Sequence, residues 1–207
     1  NSNCDLKICD LGLARLSAEL DSSFMTVYVV TRWYRAPELL LGKKDYDKSI
    51  DMWAVGCILA ELLARKPLFP GKDYVDMLKL QVAKIGNPPL EDQKHVSDKA
   101  KTFLAGFTKV EPANWKKVFP GASNPALDLL DKLLQFNPAN RLTAEQALAH
   151  PYMAELHDPE DEPECEVEFD FNYESKDSLS DASIRDMVFQ EIKQYHNPVG
   201  KFKQIKR

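Results

Sequence analysis

Glycine is sparse in this chain of 207 residues: there are 8, and no two stand closer together than Gly42 and Gly56. That spacing excludes any G-x-G-x-x-G or P-loop element, in which clustered glycines let backbone N–H groups approach phosphates. Cysteine is sparser still. Cys4, Cys9, Cys57 and Cys165 form neither a disulfide framework nor a paired metal-ligand spacing, so a reduced, intracellular setting is expected. There is no basic excess either. The formal net charge of −5 argues against a general nucleic-acid binder, which must neutralise a phosphate backbone. A long hydrophobic run is also missing, and no signal-peptide pattern is read at the start. The most apolar stretch, residues 52–64 (MWAVGCILAELLA), is too short to span a membrane and contains Glu61. Being apolar nearly all round, it reads as a helix buried in a globular core.

What is present is ordinary for a globular protein, with 44% hydrophobic and 29% charged residues and a length sufficient for one substantial core. Residues 5–9 alternate polar and apolar, a short strand pattern. Residues 10–38 show little periodicity, and a loop of that length inside a compact domain is usually functional. The rest reads as mostly helical. A helix starts near Ser49, with Ser49 or Asp51 placed to cap it. A second covers residues 74–85, with Val75, Leu78, Val82 and Ile85 as its apolar set, closing at Gly86-Asn87-Pro88-Pro89. Residues 87–124 read as irregular, with one short helix at 98–105. Asn124-Pro125 opens a helix carrying Leu127, Leu130, Leu133 and Leu134, which Asn137-Pro138 ends. Residues 143–150 form a helix with a capping box between Thr143 and Gln146. Residues 155–170 then hold nine acidic side chains and neither lysine nor arginine. An amphipathic helix over residues 181–195 and a basic tail complete the chain. The expected fold class is mainly α, with at most a remnant strand near the N-terminus.

The chemistry concentrates in the long loop. Asp10 stands at the end of the strand pattern with Gly12 close behind, a placement suited to holding a divalent cation against a phosphate. Arg15, Arg32 and Arg35 flank Thr26 and Tyr28, an arrangement suited to a loop ordered by phosphorylation. Each phosphate adds nearly two charges, which arginine grips bidentately.

The order Asp10-Leu11-Gly12, Thr26-Val27-Tyr28 and Thr31 to Glu38 (TRWYRAPE) resembles the protein-kinase signature set. The T-x-Y pair ahead of that string is similar to mitogen-activated protein kinases, MAP kinases, in particular. DMWAVGCILAEL (51–62), NPANRLTAEQALAHPY (137–152) and HDPEDEP (157–163) resemble later segments of that family in the right order, so the resemblance covers nearly the whole chain.

This resemblance implies the helical C-terminal lobe of the two-lobed kinase fold. Residues 1–152 would form a partial kinase domain, and residues 153–207 an acidic docking segment with a C-terminal extension helix. It implies ATP and Mg2+ as cofactors, with Asp10 on the metal, and Thr26 and Tyr28 as dual phosphorylation sites. Arg15 would help bind the phosphothreonine. Arg32 and Arg35 would bind the phosphotyrosine and shape a pocket for a proline after the target residue, and Thr31 would contact the catalytic aspartate. Glu38 would pair with Arg141. Asp51 would hold the catalytic loop, the alternative being a helix cap. Asp158, Glu160 and Asp161 would form a docking site for basic motifs, where an acidic run otherwise reads as a solvated face. The implied partners are an upstream dual-specificity MAP kinase kinase, protein substrates with Ser/Thr-Pro sites, phosphatases and docking-motif proteins. No nucleic acid or membrane is implied, and the setting would be cytoplasmic or nuclear.

Two departures are visible. Leu11 stands where most kinases have phenylalanine, and Val27 replaces the Glu, Pro or Gly usual between the phosphosites, which leaves the subgroup unassigned. Phosphoryl transfer also needs a glycine-rich cover, a strand lysine and a catalytic-loop aspartate. None of the three is read in this chain, which is therefore expected to be a partial sequence, inactive by itself. The alternatives weighed against it are a non-catalytic docking module and a cyclin-dependent-type kinase. Tyr28, Arg32 and the acidic extension stand against the second.

Overall fold

A computed structural model describes residues 2, 6, 8–10, 32–42, 47–163 and 180–196, and the side chains of 194–196 fall outside it. Among the described residues the chain is mainly helical, with no strand. The short strand expected over residues 5–9 is not seen in the described part of that segment. Leu6 and Ile8 are 82% and 85% exposed, and a strand without a paired neighbour leaves its N–H and C=O groups to water.

Eight α-helices are described: α1 (Pro37–Leu40), α2 (Ser49–Ala64), α3 (Tyr74–Ile85), α4 (Asp98–Ala105), α5 (Trp115–Val118), α6 (Asn124–Leu133), α7 (Ala144–Leu148) and α8 (Asp181–His196). Their starts follow side-chain chemistry. Asp73, Ser97, Asn114, Ser123 and Thr143 each accept a backbone N–H of the following first turn, satisfying donors that a helix leaves open. The Thr143–Gln146 capping box forms in both directions, as expected. The cap of α2 departs from expectation. Neither Ser49 nor Asp51 caps it; Asp47 accepts from the Ser49 N–H (2.8 Å) and from its hydroxyl. The short helix α5 lies inside a stretch that reads as irregular, made by the Asn114 cap and the packing of Trp115 on Phe119.

The chain divides into two compact units, Asn1–Pro163 and Glu164–Arg207. The first has its core around α2. Trp53, Cys57 and Ala60 of that helix, Phe69, Met77 of α3, and Leu130 and Leu134 at α6 are all essentially sealed from solvent. Trp53 stacks on Phe69 with centroids 5.8 Å apart. Each large side chain so buried stabilises the fold by roughly 1.5–3 kcal/mol relative to exposure. Gly56 lets α2 and α6 meet closely, since a Cβ there would lie 2.8 Å from Leu134 Cδ2 and 3.0 Å from Leu133 Cβ. The expectation that α2 is buried all round fails on one side. Val55, Ile58 and Leu62 are 45%, 51% and 73% exposed, because the described residues supply packing partners to the opposite face only. In the second unit, α8 carries Ile184, Met187, Val188 and Ile192 at helical spacing. No helix among the described residues is long and apolar enough to cross a membrane.

Candidate functional site

The site is built where the end of the long loop meets α3. Residues Arg32–Tyr34 form a single 3-10 turn, and Ala36 then leads extended backbone into α1. This turn is fastened by its side chains. Trp33 Nε1 donates to the Gly71 carbonyl (3.2 Å), and Arg32 Nη1 to the Lys72 carbonyl (2.6 Å). Tyr34 donates to the Glu61 carboxylate (2.7 Å), a bond that holds its phenol above the ordinary value.

Arg32 and Arg35, predicted to share a pocket, are brought together on one ring. Their guanidinium carbons lie 5.8 and 5.6 Å from the centroid of Tyr74, the first residue of α3, and Arg35 Nη1 also donates to the Tyr74 hydroxyl (2.6 Å). The ring's π-face offsets some of the repulsion between the two cations. Two guanidinium groups so placed can grip an anion through several N–H donors at once. The Arg35 carbonyl is held separately by Gln81 Nε2 (2.9 Å).

Glu38 and Arg141 pair as expected. Arg141 Nη1 and Nη2 donate to the two Glu38 carboxylate oxygens at 2.9 and 3.2 Å, and both residues are buried. The remaining guanidinium donors reach the Ser49 and Gln135 carbonyls, and the group lies 5.2 Å from the Trp53 ring. One side chain thus ties the loop's exit, the start of α2 and the end of α6 into a single network.

Asp10 is exposed, with φ of 63°, a left-handed conformation uncommon outside glycine and found preferentially at functional sites. Magnesium is commonly held by one or two carboxylates plus substrate phosphates, so a single aspartate suits it in kind. Among the described residues no group of three or more His, Cys, Asp or Glu is gathered to hold a metal by itself. Asp51 is exposed in the first turn of α2, on the same face as Val55, Ile58 and Leu62. Arg15, Thr26, Tyr28 and Thr31 lie outside the described residues.

The acidic segment is a set of short turns. His157 Nδ1 pairs with Glu162 at 2.9 and 3.0 Å, Glu162 accepts the Asp158 N–H (3.2 Å), and Asp158 accepts the Glu160 N–H (3.1 Å). These bonds leave Asp158, Glu160 and Asp161 all exposed.

Two participants escape a reading of the sequence. Tyr74 reads as the first residue of a helix, and Gln81 interrupts the apolar set of α3. The structure places Val75 outward, 42% exposed, and buries Gln81 beside Met77, Leu78 and Val82. Only a polar residue at a core position could have signalled it, and that signal names no partner.

The sequence model of the protein kinase domain matches residues 1–153. The chain is 49% identical over 199 residues to the mitogen-activated protein kinase mpk-1 of Caenorhabditis elegans, covering 95% of this chain and 45% of the worm protein. It is 50% identical over 199 residues to the mitogen-activated protein kinase mpkB of Aspergillus fumigatus, covering 93% and 56%, and 47% identical over 197 residues to the extracellular signal-regulated kinase 1 of Dictyostelium discoideum, covering 95% and 37%. The chain spans about half the length of the curated relatives it matches. With the arginine pair, the buried Glu38–Arg141 bridge and these matches in hand, the chain belongs to the protein kinase family, in its mitogen-activated branch.

Proposed function

We propose that the protein this chain belongs to is an ATP- and magnesium-dependent kinase that phosphorylates serine or threonine followed by proline, and that phosphorylation of Thr26 and Tyr28 switches it on. The observation that supports this most is the pairing of Arg32 and Arg35 on Tyr74, a few residues after Tyr28 in the chain. A dianionic phosphate on Tyr28 would find two fixed guanidinium groups within reach, and its charge would order the loop that carries it. Arg15 would play the corresponding part for Thr26, and Thr31 would face the catalytic aspartate of the complete protein.

Asp10 would hold magnesium on the ATP phosphates, where the ion neutralises charge during transfer. The 207 residues alone contain no glycine-rich cover and no catalytic-loop aspartate, so this stretch by itself would bind and position rather than transfer phosphate. Asp158, Glu160 and Asp161 would recruit the upstream dual-specificity kinase, substrates and phosphatases through basic docking motifs. A cytoplasmic or nuclear setting follows from those partners.

The test is Tyr28→Phe in the full-length protein after treatment with an activating kinase. Activated kcat/KM on a Ser-Pro peptide should drop on the order of tenfold or more. Turnover equal to the parent's would refute the switch.

A further inference from the structure

A groove of about 430 Å³ opens between the residues that follow α3 (87–93), the second half of α4 and residues 107–112. That volume is in the range of pockets that take up a ligand. Arg32, Arg35, Tyr74 and the acidic turns of 157–163 form no part of its lining.

The walls are braced by the chain itself. The Asn87 N–H donates to the Val110 carbonyl (3.3 Å), and the Val110 N–H to the Asn87 side-chain oxygen (2.7 Å). The Ala113 N–H reaches the Lys84 carbonyl at 2.8 Å, and Gln93 Nε2 holds the Pro88 carbonyl at 2.8 Å. Gly86, with φ of 81°, lets the two walls join, since a Cβ there would sit 2.8 Å from the Pro112 ring. Pro88 and Pro89 stiffen the opposite wall, their φ being set by the ring.

The lining is not matched by the rest of the described chain. Leu90 and Val110 are 79% and 39% exposed, so apolar surface meets water at a concave site. Residues 108–114 hold neither helix nor turn. Within them Val110 turns its N–H and C=O to Asn87, while Lys109 and Glu111 form no hydrogen bond or ion pair among the described residues. Backbone groups of alternate residues in an extended chain face opposite ways, so Lys109 and Glu111 offer a short open edge. Extended peptides add to edges of this kind. Lys101 brings a second ammonium to the groove; its bond to Asp98 (2.9 Å) leaves further donors on that group.

We propose that this groove docks an extended segment of a partner protein, in which an apolar side chain is flanked by acidic residues. The segment pairs its backbone with the Lys109–Glu111 edge and lays its apolar side chain between Leu90 and Val110. Its carboxylates meet Lys101 and Lys109. An acidic segment is selected because two ammonium groups stand here against the single carboxylate of Glu111. A basic motif meets like charge at this groove.

The experiment is calorimetric titration of the full-length protein with an acetylated Val-Glu-Leu-Asp-Asp peptide and with its Val-Lys-Leu-Lys-Lys counterpart. The acidic peptide should bind about tenfold more tightly than the lysine one, and added salt should weaken it. Lys109→Glu should weaken the acidic peptide by about tenfold while melting with the parent, because Lys109 is exposed and bonds to nothing in the described chain. The Asp158→Asn, Asp161→Asn double variant should bind it as the parent does. Absence of saturable binding overturns the proposal, as does equal affinity for the two peptides. Unchanged affinity in Lys109→Glu overturns it too, and so does loss in the double variant, which would place the peptide at the acidic turns.

Discussion

Arg141 shows how much one side chain can hold. Its guanidinium is sealed from solvent, meets Glu38 with two bonds, and caps the Ser49 and Gln135 carbonyls besides. Two charges out of water are tolerated only when every donor is met, and removing one partner of such a pair typically costs about 3–5 kcal/mol. Glu38→Gln keeps one acceptor and a side chain of the same shape, whereas Arg141→Met strands a buried carboxylate and two carbonyls. Both variants of the full-length protein should melt below the parent, and Arg141→Met lower than Glu38→Gln. The reverse order in a thermal melt would show that the carboxylate, not the guanidinium, anchors the network. Cys57 is a case where burial outweighs a nearby cation: desolvation in the core pushes its thiol up to about 12 against a lowering by Arg141, which keeps it protonated and unreactive at neutral pH.

At the level of elements, α2 and α6 set the core by approaching closely, and Gly56 is the reason they can. Alanine at that position would gain about 1 kcal/mol of helix propensity. Its Cβ would also sit 2.8 Å from the mobile tip of Leu134 and 3.0 Å from the Cβ of Leu133, which is fixed to its own helix. The tip can rotate, but the Cβ cannot move without shifting α6, and overpacking of that kind costs about 1–3 kcal/mol. Gly56→Ala is therefore expected to lower the melting temperature despite the better helix former. A rise would reveal slack between the two helices. His150 fastens the middle of α6: its Nε2 meets Asp128 at 2.8 Å while its Nδ1 accepts the Tyr152 N–H, so one ring joins α6 to the turn after α7. Hydrogen bonds from Lys132 and then His150 hold the Asp128 carboxyl below its usual range.

At the scale of the whole molecule, the acidic turns of residues 157–163 are separate in chain and chemistry from the arginine pair at Tyr74. Asp158 has an internal duty, accepting the Glu160 N–H, which asparagine can also perform. Replacing Asp158 and Asp161 by asparagine thus removes charge while keeping the turn. Binding of a basic-hydrophobic docking peptide to the full-length double variant should weaken about tenfold, and the parent's affinity should fall with added salt, as screening dictates. Equal affinity in parent and variant, at low salt, would rule out these carboxylates as the recruiting surface.

Local chemistry is what the sequence could state alone. Helix periods, the Thr143–Gln146 box, the breaks at proline and the residue types around Thr26 and Tyr28 all depend on neighbours a few positions away, and the helices α3, α4, α6 and α8 are found where that reading puts them. The family resemblance added the one long-range contact it names, Glu38 with Arg141, 103 residues apart. Contacts that no local pattern encodes were decided by tertiary packing. Val55, Ile58 and Leu62 lie on a side of α2 that meets no packing partner among the described residues, which the period of one helix cannot foretell. Gln81 is buried, against its polarity, because the Arg35 carbonyl, 46 residues earlier in the chain, arrives beside it.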